Sequence, residues 1–255
     1  MLEPILDSVR ARLPGVLARA EEWERRAVGA GTPLDFRGAL TAPGLQVIAE
    51  IKRRSPSAGP LDEGLDPAAR ARSYRDGGAV ALSVLTEPDH FGGSIEDLVA
   101  ARSEAGLPTL RKDFMLHPAQ ILQSAALGAD AVLLIAAVLE DPDLALLLET
   151  AEAVGLAALV EVHNAAEARR ASAHGACLVG VNNRDLATFR VDLATAERLR
   201  PLLPDGVVAV AESGVSDRAG AARMAAAGYD AILVGEALVR AGDPADLVAR
   251  LRGEA

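Results

Sequence analysis

The chain has 255 residues, half of them apolar, and a formal net charge of −10. This length is typical of one α/β barrel, and the low aromatic content of 3% predicts a core of Ala, Val, Leu and Ile. The negative charge argues against a nucleic-acid partner, because the sequence has no basic stripe that could displace counterions from phosphates. A small anionic ligand is still compatible with it, since local charge matters more than net charge in a cleft.

A single cysteine, Cys177, excludes an internal disulfide and favours a reducing, cytoplasmic location. Because Cys177 lies inside an apolar run, we expect it to pack in the core. No apolar stretch reaches the ~18 residues of a membrane helix, and the start of the chain lacks the apolar core of a signal peptide. We therefore expect a soluble intracellular protein without a membrane partner.

Two helical segments open the chain, at 5–13 and 15–28, and Pro14 and Gly15 between them predict a break. Residues 1–45 are too few for a core of their own. We expect them to form an N-terminal helical extension of a single domain that spans 1–255.

From residue 45 onward the sequence repeats loosely, with eight short β-rich runs separated by helical stretches. The runs cover 45–52, 77–85, 107–113, 128–135, 156–162, 175–182, 207–214 and 228–235. Four of them start at a glycine. The helical stretches include 67–78, 118–128, 141–155 and 217–228, which begin with Pro or Asp and end at Gly, the usual start and stop signals.

Runs that are apolar on both faces and alternate with helices indicate a parallel sheet covered on both sides. Eight such units fit a closed (β/α)₈ TIM barrel better than an open doubly wound sheet, which is the structural alternative. The fold class predicted is therefore α/β, and the active site of a barrel lies at the carboxyl ends of its strands.

Of the 26 Lys and Arg residues, only Lys52 and Lys112 are lysine. A desolvated lysine can lose its proton and act as an acid, a base or a Schiff-base nucleophile, which arginine cannot do. Both lysines end β-rich runs and have an acidic neighbour, Glu50 or Asp113. We predict that both lysines have chemical roles. The alternative is that they occur by chance in a sequence whose composition favours arginine.

Polar side chains collect at the carboxyl ends of five predicted strands. On the first strand, Glu50 and Lys52 share one parity and should both face the barrel mouth. An unpaired carboxylate would be costly there, so we expect the acids to pair with the two lysines. The residues at these strand ends are Glu50, Lys52, Lys112, Glu161, Asn182, Glu212 and Ser213.

Two short loops are suited to phosphate. Ser213-Gly214 follows the seventh predicted strand and Gly235-Glu236 the eighth, where backbone N–H groups at a helix start commonly hold a phosphate. Ordinary turn glycines are the alternative. The Pro- and Gly-rich loop 53–64 could hinge over the site, or be merely solvated. The four histidines lack metal-ligand spacing and no nucleotide fingerprint occurs, so we expect no metal and no cofactor.

Taken together, these segments resemble the indole-3-glycerol phosphate synthase family. The resemblance is most specific in IAEIKRRSPSAGPL (48–61) and spans nearly the whole chain in the right order. It continues through ALSVLTEPDHFGGS (81–94), LRKDFMLHPAQI (110–121), LVEVHN (159–164), GVNNRDLATF (180–189), AESGVS (211–216) and ILVGEAL (232–238). It implies closure of an indole ring on 1-(2-carboxyphenylamino)-1-deoxyribulose 5-phosphate, with loss of carbon dioxide and water.

The resemblance also implies a role for individual residues. Catalytic positions of the family fall on Glu50, Lys52, Lys112, Glu161, Asn182 and Ser213. Its phosphate-binding positions fall on Ser57, Arg184, Gly214, Gly235 and Glu236, the last through its backbone N–H. The pocket for the anthranilate ring would be lined by Phe91, Phe114, Leu133 and Leu186.

For the chemistry, we expect Lys112 to protonate the ketone oxygen, with a pKa lowered by burial and by Lys52. Lys52 would pair with the substrate carboxylate, although the two lysines could exchange these roles. Asn182 and Ser213 would orient the polar groups around that carboxylate. Glu50 and Glu161 would serve the dehydration, one of them kept protonated by apolar surroundings.

Two rival functions are open at this point. A phosphosugar isomerase or a Schiff-base aldolase with Lys112 as nucleophile would use the same scaffold, because this barrel supports many chemistries. A non-catalytic barrel that binds a phosphorylated ligand or a protein would have no need for the two lysines. We expect a monomer; association with other enzymes of the same pathway is left open.

Overall fold

The computed structural model describes residues 2–186 and 188–253. Its centre is a closed barrel of eight parallel strands in which β1 pairs with both its sequence neighbour β2 and the last strand, β8. This closure confirms the predicted (β/α)₈ barrel and excludes the open sheet. The strands are β1 (Gln46–Ile51), β2 (Ala81–Leu85), β3 (Thr109–Lys112), β4 (Ala131–Ile135), β5 (Ala157–Val162), β6 (Leu178–Asn182), β7 (Val208–Glu212) and β8 (Ala231–Val234).

Helices surround the barrel and precede it. The first three are α1 (Leu2–Leu17), α2 (Ala20–Val28) and α3 (Phe36–Ala39). Those that follow the strands are α4 (Pro67–Asp76), α5 (Pro88–Phe91), α6 (Ile95–Ala105), α7 (Pro118–Ala126), α8 (Asp141–Ala153), α9 (Ala165–Ala173), α10 (Ala194–Leu199), α11 (Arg218–Ala226), α12 (Glu236–Arg240) and α13 (Pro244–Arg252). Among the residues described, no helix is long and apolar enough to cross a membrane.

The four β-rich runs that start at a glycine extend beyond the observed strands at their amino ends. In each case a glycine lies between the preceding helix and the strand with a left-handed backbone, at φ +91°, +84°, +75° and +85° for Gly78, Gly128, Gly175 and Gly228. A glycine with a left-handed backbone is the usual way to end a helix, because residues with side chains rarely adopt this conformation. These glycines therefore end helices and do not open strands.

The barrel interior is filled by inward-facing aliphatic side chains such as Ile48, Leu110, Leu159 and Val210, all fully buried. Side chains alternate along a strand, so the next inward position toward the carboxyl end lies two residues later. On β1, β3, β5 and β7 that position is an acid or a lysine. The same alternation that fills the core thus brings the charged groups to the barrel mouth.

The N-terminal extension differs in one respect from the prediction. Helix α1 continues through Pro14, and the chain turns only after Leu17, so the predicted break at Pro14-Gly15 is wrong. A proline inside a helix removes one backbone hydrogen bond. The helical hydrogen bonds nevertheless continue beyond Pro14, since the Ala18 N–H donates to the Pro14 carbonyl at 2.9 Å. Helix α1 packs against α5 and α7, and α2 packs against α7.

Cys177 is exposed, so the expectation that it packs in the core is wrong. It stands immediately before β6, between the buried Ala176 and Leu178. In extended chain the neighbours of an inward-facing residue point outward, which turns Cys177 to solvent. An apolar run predicts burial for most of its residues, but it does not show where alternation begins.

Candidate active site

A cavity of about 440 Å³ opens at the carboxyl end of the barrel. Every site residue predicted from the sequence lines it: Glu50, Lys52, Ser57, Phe91, Lys112, Phe114, Leu133, Glu161, Asn182, Arg184, Leu186, Ser213, Gly214, Gly235 and Glu236. The loop after β1 also reaches the cavity; it carries a short antiparallel ladder that joins Arg54–Ser55 to Gly59–Pro60. The barrel therefore brings the predicted residues together from five strand ends and from the loops after six strands.

Lys112 lies at the centre of the charged half of the cavity. Its Nζ atom is 2.8 Å from Glu161 Oε2 and 2.6 Å from Glu212 Oε2, and both carboxylates are buried. Burial alone would lower the pKa of Lys112, but the charges of the two carboxylates outweigh it and raise that pKa. The expected lowering of the Lys112 pKa is therefore wrong. Its neighbour Asp113 does not pair with it and instead accepts a hydrogen bond from Arg111 at 3.0 Å.

The second lysine has a carboxylate of its own. Lys52 Nζ lies 2.5 Å from Glu50 Oε1, and both groups are largely buried. The two side chains press against Gly235, where a methyl group would collide with the Glu50 carboxylate and come within 3.1 Å of Lys52 Nζ. Because glycine has no side chain, the space beside residue 235 is available to the ion pair.

Glu161 is held on both oxygens. Oε2 accepts from Lys112, and Oε1 accepts from Asn182 Nδ2 at 3.1 Å. His163 approaches the same oxygen, with Nε2 3.1 Å from Oε1. Burial alone would raise the pKa of Glu161, but the charge of Lys112 and the nearby His163 ring outweigh it and hold that pKa well below its usual range.

Glu212 is the carboxyl group of this cluster whose pKa is raised. Its carboxyl group is fully enclosed, and Oε1 has no hydrogen-bond partner among the described residues. Burial raises the pKa of Glu212 to about 7 against the opposing charge of Lys112, and the charge of Glu161 adds to the rise. One ammonium group thus holds one ionised carboxylate and one that is near its point of protonation. The raised pKa that we expected for a catalytic glutamate is therefore found at Glu212, whereas the pKa of Glu161 is lowered.

The turn after β7 has a conformation that gathers backbone N–H groups. Ser213 and Gly214 both have left-handed backbones, at φ +65° and +89°. The side-chain amide of Asn183 donates to the carbonyls of Glu212 and Ser213, each at 3.1 Å, and fixes the turn. Backbone N–H groups of a turn can form a concave nest that suits an anion.

At the adjacent loop, the Glu236 carboxylate turns to Arg240 of its own helix, at 3.0 Å. Only its backbone N–H is left to face an anion, in line with the role that the resemblance implies. Arg184, across the cavity, contacts the Phe189 carbonyl at 3.4 Å and also lines the cavity.

The opposite wall is apolar. The rings of Phe91 and Phe114 lie 6.2 Å apart between centroids and are tilted by 40°. Aromatic pairs favour such offset, tilted arrangements. Leu2 and Ile5 of α1 also line the cavity, so the N-terminal helix forms part of its wall.

The comparisons with known proteins agree with this geometry. The family model described as indole-3-glycerol phosphate synthase matches residues 7–251. The indole-3-glycerol phosphate synthase of Mycolicibacterium vanbaalenii is 49% identical, over 98% of this chain and 93% of that protein. The chain belongs to the indole-3-glycerol phosphate synthase family. The synthase of Mycolicibacterium smegmatis is 48% identical over the same shares of the two chains.

Family membership confirms the resemblance, the enzyme class and the activity predicted from the sequence. The chain is a carboxy-lyase of tryptophan biosynthesis that forms indole-3-glycerol phosphate. Solved structures with lower identity show the fold alone. They include 3-hexulose-6-phosphate synthase from Salmonella typhimurium, with a TM-score of 0.66 at 16% identity over 82% of this chain and 97% of that one. Thiamine phosphate pyrophosphorylase from Pyrococcus furiosus has a TM-score of 0.61 at 19% identity, over 82% and 94%.

Sequence reasoning missed three contributions to the site. The sequence identifies Glu212 as a strand-end acid but predicts no role for it. Its shared parity with the inward-facing Val210 is the signal that could have placed it in the cavity. His163 shares the parity of Glu161 and was considered only as a metal ligand. The contribution of Leu2 and Ile5 could not be predicted, since nothing in the sequence shows which part of the barrel α1 covers.

Proposed function

We propose that the cavity performs the ring closure with proton transfers between its lysines and carboxyl groups, without a cofactor. The observation that carries this proposal is the Lys112 ammonium held between Glu161 and Glu212. The same cavity is lined by an apolar wall and by two loops suited to phosphate, which matches a substrate with an aromatic ring at one end and a phosphate at the other.

For binding, the phosphate would lie against the backbone N–H groups of Gly214, Gly235 and Glu236, with Ser57 and Arg184 completing the site. The left-handed turn at Ser213-Gly214 supports this position. The anthranilate ring would pack against the apolar wall formed by Phe91, Phe114, Leu133 and Leu186.

For ring closure, the aromatic carbon that bears the carboxylate attacks the ketone carbon, and the carbonyl electrons move to oxygen. Lys112 gives its proton to that oxygen. Because its pKa is raised, Lys112 is a poor acid toward a neutral ketone but a suitable one toward an alkoxide as it forms. The raised pKa also disfavours the Schiff-base alternative, which needs a neutral lysine.

For decarboxylation, Lys52 would pair with the substrate carboxylate, and Asn182 and Ser213 would orient it. The electrons of the bond to the departing carbon dioxide return to the ring and restore its aromaticity. An ammonium that steadies the carboxylate until release fits the position of Lys52 beside Glu50 at the cavity edge.

For dehydration, the hydroxyl leaves as water with a proton from Glu212, whose pKa near 7 suits an acid at neutral pH. Glu161 takes the proton from the adjacent carbon. Once Lys112 has given up its charge, the main influence that keeps the Glu161 pKa low is gone, so this carboxylate becomes a better base. Glu161 can then return the proton to Lys112 across 2.8 Å, and Glu212 regains its proton from solvent.

The experiment mixes protein dialysed against EDTA with 1-(2-carboxyphenylamino)-1-deoxyribulose 5-phosphate and follows indole fluorescence. Appearance of indole emission without added metal is expected. Absence of indole emission from a protein with a normal circular dichroism spectrum would overturn the proposal. Borohydride trapping with a sugar phosphate would then test the alternative of a Schiff-base aldolase.

A monomer in the cytoplasm, without nucleic-acid or membrane partners, completes the proposal. The single, exposed Cys177 suits a reducing compartment. Light scattering after size exclusion tests the monomer, and two or more chains per particle would contradict it.

A further inference from the structure

We propose that His163 is a positioning residue for this reaction: as an imidazolium, it fixes the carboxylate of Glu161 between Lys112 and Asn182. The inference rests on the role proposed above for Glu161. It concerns a side chain that does not line the cavity.

The geometry gives the His163 ring a carboxylate on each nitrogen. Nε2 lies 3.1 Å from Glu161 Oε1, although at an angle that does not form a standard hydrogen bond, and Nδ1 lies 3.1 Å from Glu167 Oε2. The Glu167 carboxylate also accepts from the His163 backbone N–H at 2.7 Å and from Asn164 Nδ2 at 2.5 Å. Glu167 is thereby anchored at the start of α9 and holds the ring in place.

This arrangement favours the charged form of the ring. A neutral imidazole has one N–H, so its other nitrogen would turn a lone pair toward a carboxylate, whereas an imidazolium donates from both sides. The side chain is only 10% exposed, and burial opposes the charge. The nearby carboxylates of Glu161 and Glu167 outweigh burial and raise the pKa of His163 to about 10.

Other charged groups near the ring face it from a distance. Lys112 contacts Oε2 of Glu161, whereas His163 approaches Oε1, and Glu212 contacts Lys112 in turn. An outer cleft of about 530 Å³ separates it from Arg184, Asp185, Arg190, Asp192 and Arg198. Among these, Asp192 accepts from Arg198 at 3.3 Å, which offsets their charges locally.

The consequence for the reaction concerns Glu161. Without the imidazolium, Oε1 would keep only the amide of Asn182, and the carboxylate could rotate away from the substrate carbon. Its pKa would also rise, because a positive neighbour that favours the ionised form would be lost. A misoriented base lowers kcat more than it weakens substrate binding.

The first test is His163→Gln, measured as kcat, KM and the pH dependence of kcat. We expect kcat to fall about 10-fold or more with KM changed less than about twofold, and the acidic limb of the profile to move to higher pH. His174→Gln is the matched control, since His174 ends α9 and faces Asp141 away from the cavity. A lower melting temperature with unchanged kcat and unchanged acidic limb would show a merely structural role and overturn the proposal.

The second test measures the wild-type protein and needs no activity, and variants serve only to assign the signal. Ring ¹⁵N chemical shifts of His163 in the wild-type protein at pH 8 report directly on its charge, with assignment from the His163→Gln spectrum or from Glu167→Gln. Two protonated nitrogens are expected, and a neutral ring would overturn the proposal. If the wild-type protein forms no indole product, the proposed function fails, whatever these shifts show.

Discussion

Lys112 Nζ lies 2.6 Å from Oε2 of Glu212, a buried carboxyl group whose pKa burial raises to about 7. The second oxygen of Glu212 faces Gly180, where any side chain would collide with it. The barrel therefore makes room for an acid that is poorly solvated and whose ionised form is stabilised by Lys112. A structural ion pair has no need of such an arrangement, whereas general acid catalysis does.

Glu212→Gln separates the proton-donating role of this acid from its shape. Glutamine keeps the size and one hydrogen-bond acceptor but has no carboxyl proton, so we expect kcat to fall about 10²-fold. In the wild-type enzyme, the acid form of Glu212 is lost as the pH rises through about 7, and a step that needs this acid slows over the same range. Equal kcat for variant and wild type at pH 6 would contradict the acid role.

The same substitution predicts a change in stability with a definite sign. Because the folded-state pKa of Glu212 is raised above its ordinary value, the folded protein favours the protonated form. The associated stability is fully present below the ordinary pKa and is lost as the pH rises through about 7. Relative to wild type, Glu212→Gln should therefore gain about 2–3 kcal/mol in free energy of unfolding between pH 5 and pH 9. Urea unfolding at both pH values measures this difference, and a constant difference would contradict it.

Gly235→Ala tests the close packing of Glu50 and Lys52. The added methyl group collides with the Glu50 carboxylate and should displace this ion pair. We expect kcat/KM to fall at least about 10-fold while the protein stays folded, because misplaced catalytic groups cost activity before stability. Gly242→Ala is the matched control, since a methyl group there meets nothing within 4 Å. Equal kcat/KM for the two variants would refute the packing argument.

Much of this molecule could be predicted from its sequence, because a barrel repeats one pattern eight times. The alternation that buries Ile48 also turns Glu50 inward, so polar residues at strand ends could be assigned to the site from the sequence alone. What the pattern does not contain is which charges meet across the barrel. Sequence spacing favoured a low pKa for Lys112, whereas the fold puts two carboxylates from other strands beside it.

The bottom of the barrel offers a stability prediction that is independent of catalysis. Asp130 is fully buried and accepts hydrogen bonds from Arg102 at 2.8 Å, from the Thr109 N–H at 2.9 Å and from the Leu34 N–H at 2.7 Å. Asp130→Asn leaves the Arg102 charge without its partner and should lower the free energy of unfolding by about 3 kcal/mol.

Asp141→Asn is the control for Asp130→Asn, because Asp141 pairs with Arg170 at the surface and its loss should cost much less stability. Neither variant should change kcat once folded, as neither residue lines the cavity. Urea unfolding measures both differences, and equal losses in the two variants would contradict the ranking by burial.

The most direct measurement of the central claim is kcat of Lys112→Arg, followed by indole fluorescence. Arginine keeps the positive charge between Glu161 and Glu212 but cannot release a proton at any accessible pH. If Lys112 is the acid that protonates the developing alkoxide, kcat falls about 10²-fold or more. Turnover close to that of the wild-type enzyme would contradict this role and leave Lys112 as a purely electrostatic partner of the two carboxylates.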